Sequence, residues 1–453
     1  MTHEDTGLEA DNPPGTDGPV HLPELLDHWS PTQLIVVSLC FTVNMIDGMD
    51  VLLMSYIAPT LQQDWAIRSD QLGVVFSISI LGMAVGGIGL AQLADDFGRR
   101  RIILAALATS TIAMLLSGLV ATIPQLMILR FFVGLGIGTV LASMAALIAE
   151  YAPPKYRNFA VGLLYAGYPL GAIFTGFASA WAIPLFGWKA TLAGAGGISA
   201  VMLPLLWILL PESMQFLVKR RPKDALERLN AILARLDRPA VSIMPEADEA
   251  PTAVGVAGLF ADGRAMSTVL LWLSMIFGYA ALWFTISWIP KLATMAGLDA
   301  TDAIYIGTIF NTGAFLGTVT LGLITARLKL QPTILTFLVS AAVVMVFYGV
   351  FRFSLPVTMM IAFVIGFLQM GGFNGIYPLA TQLYPAEVRS TGVGWTMGVG
   401  RAGAVLGPLV GGMLIEANLP LGVIFGVFAV PTVVGAICAY LVKVEPERRT
   451  AVG

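Results

Sequence analysis

The sequence is poor in charge and rich in apolar residues. Charged residues make up only 12% of the 453 positions, whereas 57% are hydrophobic. An ordinary soluble domain has about a quarter of its residues charged, so a chain of this size with a mainly water-facing surface is excluded. The net charge of -3 is too small to indicate nucleic acid as a partner.

Cysteine and histidine are equally scarce. The two cysteines, Cys40 and Cys438, lie in apolar runs, which excludes a disulfide framework and a thiolate metal cluster. All three histidines, His3, His21 and His28, precede the first apolar run, so the apolar part of the chain offers no imidazole ligand. We therefore expect no metal site and no cofactor.

Long charge-free runs are abundant. A membrane-spanning helix needs about 20 apolar residues, and a charge at the bilayer centre costs about 2.5 to 3.5 kcal/mol on insertion scales. The runs predict twelve spans, near 33–58, 71–94, 102–121, 125–150, 158–182, 188–210, 267–291, 303–326, 332–352, 356–380, 390–415 and 420–442.

These spans predict an all-α membrane protein made of two six-helix bundles. The expected domains are a disordered tail (1–32), an N-terminal bundle (33–210), a charged loop (211–266), a C-terminal bundle (267–443) and a second tail (444–453). Apolar residues at helical spacing within the loop predict an amphipathic helix over 222–236.

The basic residues flank the spans unevenly. Most lysines and arginines fall on one side, and the opposite side holds only Arg68, Lys189, Lys291 and Arg352. Because cytoplasmic loops carry the excess of Lys and Arg, we expect both tails and the charged loop to be cytoplasmic. The expected location is the inner (plasma) membrane, crossed many times and in contact with lipid.

The two halves resemble each other at an offset of about 232 residues. Glu150 to Pro153, followed by Arg157, aligns with Gln382 to Pro385, followed by Arg389. Such a repeat predicts two bundles related by pseudo-two-fold symmetry, with a substrate site between them near the bilayer midplane.

Charged residues break this repeat. Asp47 and Asp50 lie three positions apart in the first span, Asp47 about 20 Å into it, and share one helix face. Two neighbouring carboxylates in a low dielectric do not both ionise readily, so the pair is a candidate proton acceptor. Alternatively, the pair only neutralises a cation across the bundle.

Two arginines also lie inside spans without a counterpart in the other half. Arg401 in the eleventh span could clamp an anionic substrate or pair permanently with Asp47 or Asp50. Arg130 in the fourth span could act inside the bundle or snorkel to the interface. The residues that we predict to bind substrate are Arg401, Tyr165, Tyr279, Asn311, Asn374 and Trp395.

The segment between the second and third spans resembles a known signature. Its residues Asp95, Gly98, Arg99 and Arg100 are similar to the loop motif of the major facilitator superfamily, G-x-x-x-D-R-x-G-R-[RK]. Arg130 to Gly136 looks like the motif of that family's fourth helix. Within the superfamily, D-G-x-D at 47–50 together with Arg401 resembles the aromatic acid:proton symporter family.

This resemblance implies a proton-coupled carrier, not an enzyme, that imports a small organic carboxylate of the aromatic type by alternating access. It implies proton coupling at Asp47 and Asp50, and substrate binding or coupling at Arg401. Gating is expected of Asp95, Gly98, Arg99, Arg100, Arg130, Glu150 and Arg157. The expected partners are an organic anion and protons, and the expected unit is a monomer. The alternatives are a sugar or drug carrier of the same superfamily and a proton-coupled exporter.

Overall fold

The computed structural model describes residues 26, 28–245 and 255–444. Within these residues, eleven helices are long and apolar enough to cross a membrane. The longest, Pro154–Leu209, is two helices joined at Gly187, whose φ of 75° and ψ of 166° break the helical path. The described part of the chain therefore has twelve spans, and the predicted all-α membrane fold is confirmed.

The first bundle contains α1 to α6. Their bounds are Pro31–Trp65, Ser69–Phe97, Arg99–Ser117, Ile123–Tyr151, 157–186 and 188–209. Helix α2 is irregular towards its end, where Gly86–Leu90 is a π-helix and Ala91–Leu93 a 3₁₀-helix.

The second bundle contains α7 to α12. Their bounds are Ala265–Met295, Ala300–Thr325, Leu330–Val350, Leu355–Leu383, Ala386–Glu416 and Leu421–Leu441. Helix α10 is interrupted at Gly375, between Asn374 and Ile376.

The segment that joins the bundles carries two short helices, Met214–Arg220 and Ala225–Arg235. The second lies within the predicted amphipathic helix at 222–236 and buries Leu229 and Leu233. Residues 246–254 of this segment, most of the predicted tail 1–32 and nearly all of the tail 444–453 lie outside the described residues.

Helix packing repeats between the two bundles. In the first, α1 packs on α5, α2 on α4 and α3 on α6; in the second, α7 packs on α11, α8 on α10 and α9 on α12. Corresponding helices thus make corresponding contacts, as the sequence repeat predicts. The bundles meet through α2 with α11, α5 with α8 and α1 with α7.

We call the end with residues 210–245 the loop end, and the opposite end, with residues 66–68, the far end. Among the described residues, Ser55, Ser69 and Ser77 donate hydrogen bonds from the first bundle to the second, and all three lie in the far halves of their helices. Towards the loop end, Tyr165 and Trp395 are 44% and 45% exposed. The bundles are therefore joined at the far end and open towards the loop end.

Candidate functional site

Helix α1 presents Asp47 and Asp50 because α5 packs directly on the glycine between them. A Cβ on Gly48 would collide with the carbonyl oxygen of Tyr168 in α5. The Asn44 side chain, also on α1, donates a 2.6 Å hydrogen bond to the carbonyl of Leu164. These two contacts fix the rotation of α1 and keep both carboxylates buried, Asp50 on the side that faces the second bundle.

The two carboxylates are buried and interact with each other. Asp47 is 3% exposed and Asp50 2% exposed. In the part of the chain that the structure describes, Asp47 Oδ2 and Asp50 Oδ1 have no hydrogen-bond partner. Asp47 lies within electrostatic range of Asp50, and Asp50 within range of Arg130. The two carboxylates therefore lie in one buried region, where Asp50 also interacts with Arg130. Their role in proton coupling stays a prediction.

Arg130 lies inside the first bundle, so the alternative in which it snorkels to the membrane interface is not what the structure shows. It is 1% exposed. Its guanidinium donates to Ser117 Oγ at 2.9 Å and contacts Met114 Sδ at 2.8 Å, both on α3. A neighbouring helix thus positions this charge for Asp50.

Arg401 of α11 lies among tyrosines contributed by both bundles. Its guanidinium carbon is 6.0 Å from the ring centre of Tyr279 on α7. It also interacts electrostatically with Tyr165 and Tyr168 of α5 and with Tyr377 of α10. Among the described residues, Arg401 forms no ion pair with Asp47 or Asp50. The cation that accompanies the carboxylates is Arg130 instead.

The aromatic wall around Arg401 is built mainly by α7 and α10. The hydroxyls of Tyr279 and Tyr377 are 2.7 Å apart, and the ring of Phe373 lies 4.6 Å from that of Tyr279. The hydroxyl of Tyr168 is buried and has no hydrogen-bond partner in the described part of the chain. Tyr168 interacts electrostatically with both Arg401 and Asp47, and so is near enough to each to feel its charge.

The remaining residues predicted to bind substrate have their side chains engaged elsewhere. Asn311 donates to the carbonyl of Gly307 in its own helix, and Asn374 donates to Thr318 Oγ1. Trp395 stacks on Trp272 at 6.1 Å, towards the loop end. The structure thus brings Tyr165 and Tyr279 to Arg401, but not these three side chains.

A cross-bundle hydrogen bond lies just beyond Asp50. The Ser55 hydroxyl is shared between the carbonyls of Ile286, at 2.8 Å, and Ser287, at 2.9 Å, on α7. Proline has no backbone N–H, so Pro290 leaves the carbonyl four residues earlier, that of Ile286, without its helical donor. Ser55 supplies the missing donor from the other bundle. We call this contact the Ser55 latch.

Asp50 and the Ser55 latch border one small cavity. Its volume is about 20 Å³, and its walls come from α1, α2 and α7. Polar groups around it include Asp50, Ser55, Ser79 and Ser287. A polar cavity of this size holds one water molecule. Hydrogen bonds through that water can connect the Asp50 carboxylate to the Ser55 latch.

The far end is closed by further contacts between α2 and α11. The backbone N–H of Ser69 donates to Glu416 at 2.7 Å, and Arg68 Nε lies 3.5 Å from the same carboxylate. A Cβ on Gly73 would lie 2.8 Å from the carbonyl oxygen of Pro408, so glycine is needed for this close approach.

Most of the predicted gating residues meet in one network at the loop end of the first bundle. Arg99 forms an ion pair with Glu150 and a 3.4 Å contact with Asp95. Gly98 has a φ of 99°, which glycine adopts without strain. This network closes within one bundle and spans α2, α3 and α4. Arg157, by contrast, lies exposed at the start of α5.

Sequence reasoning missed the residues that complete this network. The backbone N–H of Arg100 donates to Glu212 at 2.9 Å, and Ser213 donates to Glu150 at 2.6 Å. Glu212 and Ser213 lie three and four residues after the end of α6, and their spacing alone does not distinguish them from other loop residues. The Ser55 latch was missed too, although a proline four residues after Ile286 is a signal for a free carbonyl.

Comparisons with known proteins find relatives among membrane transporters. The family model of the Major Facilitator Superfamily matches residues 39–401 and 271–453. A gallate transporter of Pseudomonas putida is 30% identical over 94% of this chain and 95% of its own length. A 4-hydroxybenzoate transporter, PcaK, of Pseudomonas aeruginosa is 33% identical over 85% and 87%. A 3-(3-hydroxy-phenyl)propionate transporter of Escherichia coli is 30% identical over 84% and 87%.

Solved structures share the fold at low sequence identity. A bacterial homologue of the human lysosomal transporter Spinster, inward-facing and occupied, matches with a TM-score of 0.73 and 16% identity over 92% of this chain and 97% of that one. The partially occluded inward-open xylose transporter XylE of E. coli matches with a TM-score of 0.70 and 16% identity over 90% and 97%.

Proposed function

The chain belongs to the Major Facilitator Superfamily, and from that premise we propose that it imports a small aromatic carboxylate together with protons by alternating access. The observation that carries the proposal is the environment of Arg401. Its guanidinium is permanently charged, faces tyrosines of both bundles and pairs with no carboxylate among the described residues.

The site suits a hydroxylated aromatic acid. A guanidinium offers two parallel donors that match a carboxylate, and tyrosine and phenylalanine rings stack on an aromatic body. The buried hydroxyl of Tyr168 supplies a polar partner for a ring hydroxyl. Relatives named for gallate, 4-hydroxybenzoate and 3-(3-hydroxy-phenyl)propionate support this substrate class.

Proton coupling follows from the charges of the first bundle. Asp47 and Asp50 together carry one negative charge more than Arg130 neutralises, and a charge at mid-bilayer costs about 2.5 to 3.5 kcal/mol. One bound proton removes the surplus, and one bound carboxylate neutralises Arg401. With both bound, neither the carboxylate pair nor Arg401 carries an unpaired charge, and in this state the carrier changes between its inward-open and outward-open forms.

The distribution of basic residues determines the orientation of the protein in the membrane and therefore the direction of transport. With the basic loop end in the cytoplasm, the described conformation is closed outside and open inside. The protein then lies in the inner membrane, crosses it twelve times and works as a single chain. A proton gradient directed inwards drives the acid in the same direction.

The test uses the full chain in liposomes with an alkaline interior and labelled 4-hydroxybenzoate outside. We expect accumulation above equilibrium for the unchanged protein. Asp47→Asn and Asp50→Asn each abolish accumulation and keep exchange of substrate at equal pH, because the site at Arg401 is intact. Arg401→Ala abolishes the thermal stabilisation that a carboxylate gives the purified protein.

Two surface variants are the matched controls. Glu227→Gln removes an exposed carboxylate of the short helix Ala225–Arg235, and Arg327→Gln removes an exposed charge near the loop end. Both should transport like the unchanged protein. Full accumulation in both Asp47→Asn and Asp50→Asn removes their coupling role. Accumulation only under the reversed gradient makes the protein an exporter.

A further inference from the structure

A second cavity opens at the far end of the second bundle, away from Arg401. Its volume is about 350 Å³, within the range of roughly 300 to 1,000 Å³ of small-molecule sites. The end of α7, the loop between α9 and α10 and the loop between α11 and α12 form its walls. Only one of the two bundles contributes to it.

Arg352 gives this cavity its charge. It is the only charged residue in the described lining, which contains no carboxylate. Arg68 on the same face pairs with Asp70 and Glu416. Arg352, in contrast, has no acidic partner in the part of the chain that the structure describes. The cavity therefore attracts an anion.

Tyr348 brings a second polar group to the same cavity. Tyr348 belongs to the wall; it is only 7% exposed, and its ring packs edge-on against Phe425 with ring centres 5.1 Å apart. Its hydroxyl is buried and has no hydrogen-bond partner among the described residues. Buried hydroxyls are normally satisfied by protein, water or ligand, so this one is a donor that a ligand can use.

The loop that carries Arg352 has a defined shape. The rings of Phe347, Phe351 and Phe353 contact one another, with centres 4.9, 5.2 and 6.3 Å apart. This aromatic cluster fixes the chain on both sides of Arg352. Other parts of the lining are apolar, including Met295, Leu298 and Leu421.

We propose that this cavity is a second binding site, for a small carboxylate with an apolar body. The guanidinium of Arg352 binds the carboxylate, the Tyr348 hydroxyl donates to it, and the apolar walls hold the body. Because one bundle forms the whole site, it stays intact while the bundles move relative to each other. The proposal goes beyond the transport function and does not depend on Arg401.

The experiment counts bound benzoate by equilibrium dialysis against the full chain in phosphatidylcholine nanodiscs. We expect two molecules per chain for the unchanged protein and one for Arg352→Gln or Arg401→Ala. The double variant should bind none. Tyr348→Phe should weaken the second site about three- to tenfold, which corresponds to one hydrogen bond. Arg327→Gln, a charge-matched control at the loop end, should still bind two.

The outcomes separate this proposal from the transport function. If the unchanged protein binds one benzoate per chain, and this binding is lost in Arg401→Ala but not in Arg352→Gln, the second site is disproved and the transport proposal stands. One molecule lost only in Arg352→Gln supports the second site and contradicts the role of Arg401. A third outcome is that an anionic lipid co-purifies with the unchanged protein but not with Arg352→Gln, and that no second benzoate binds. This result assigns the cavity to lipid and overturns the proposal.

Discussion

Asp50 and Arg130 are oppositely charged residues buried in the same bundle. Among the described residues they form no direct ion pair but interact electrostatically, and a buried charge without a compensating one is costly. Arg130 is further held by Ser117 and Met114, so its position does not depend on the carboxylate alone. Proton binding at the carboxylate pair therefore occurs next to a fixed cation.

The first prediction concerns this pair. Arg130→Met should lower the melting temperature markedly, because Asp50 then remains as an uncompensated buried charge. Adding Asp50→Asn should recover a large part of the loss, since the orphaned charge is removed with its partner. Thermal unfolding of the detergent-solubilised protein, analysed as a double-mutant cycle, measures the coupling.

Asp47→Asn is the matched control for the cycle. Asp47 is equally buried, and the charge that acts on it most is that of Asp50. Its coupling to Arg130→Met should be clearly smaller. Equal coupling at the two aspartates would mean that Arg130 serves the pair as a whole and not Asp50 alone.

At the scale of helices, prolines create the contacts between the bundles. Pro290 frees a carbonyl in α7, and α1 uses that carbonyl through Ser55. Gly73 and Pro408 allow the backbones of α2 and α11 to approach closely. Irregular positions in otherwise regular helices thus join the two halves at the far end.

The second prediction concerns the Ser55 latch. A net hydrogen bond contributes about 0.5 to 1.5 kcal/mol, so Ser55→Ala should shift the balance towards the state open at the far end about two- to tenfold. Hydrogen–deuterium exchange in the far half of α7 should rise accordingly. Ser199→Ala is the control, because that buried serine donates only to Ala195 in its own helix. Equal exchange in the two variants would show that the latch does not hold the bundles together.

Much of this architecture could be predicted from hydropathy, because the cost of inserting charge is a local property of the chain. The twelve spans and the break before Trp188 follow from hydropathy. The loop helix at 225–235 follows from the helical spacing of its apolar residues. The π-helix at Gly86–Leu90 does not, since its regular neighbours are equally apolar. The partner of Asp50 could not be predicted either, because hydropathy does not report how α4 is rotated.

The whole molecule has two symmetric bundles but an asymmetric distribution of charge. The carboxylates and Arg130 belong to the first bundle, whereas Arg401 belongs to the second. The sequence repeat predicted this division from the positions at which it fails. It could not predict that tyrosines from both bundles would surround Arg401, because that depends on how the halves are docked.

The third prediction tests movement of the bundles as units. Arg68→Cys combined with Glu416→Cys allows a short thiol-specific cross-linker to join α2 to α11 at the far end. Transport should then fall to background and return on reduction, while carboxylate binding persists. Arg68→Cys with Asp70→Cys is the control, because both positions lie in the first bundle and their cross-link leaves the interface free. Undiminished transport with the α2–α11 cross-link in place would contradict alternating access.

The acceptor in the Ser55 latch belongs to the main chain, which has a consequence for inherited variation. No exchange of the side chain at Ile286 removes it, because every amino acid supplies the same carbonyl. The acceptor is instead controlled from position 290, where any residue other than proline brings back an amide that competes with Ser55 for the same oxygen. A survey of random variants with altered opening should therefore recover changes at positions 55 and 290, while position 286 tolerates any apolar residue of similar size.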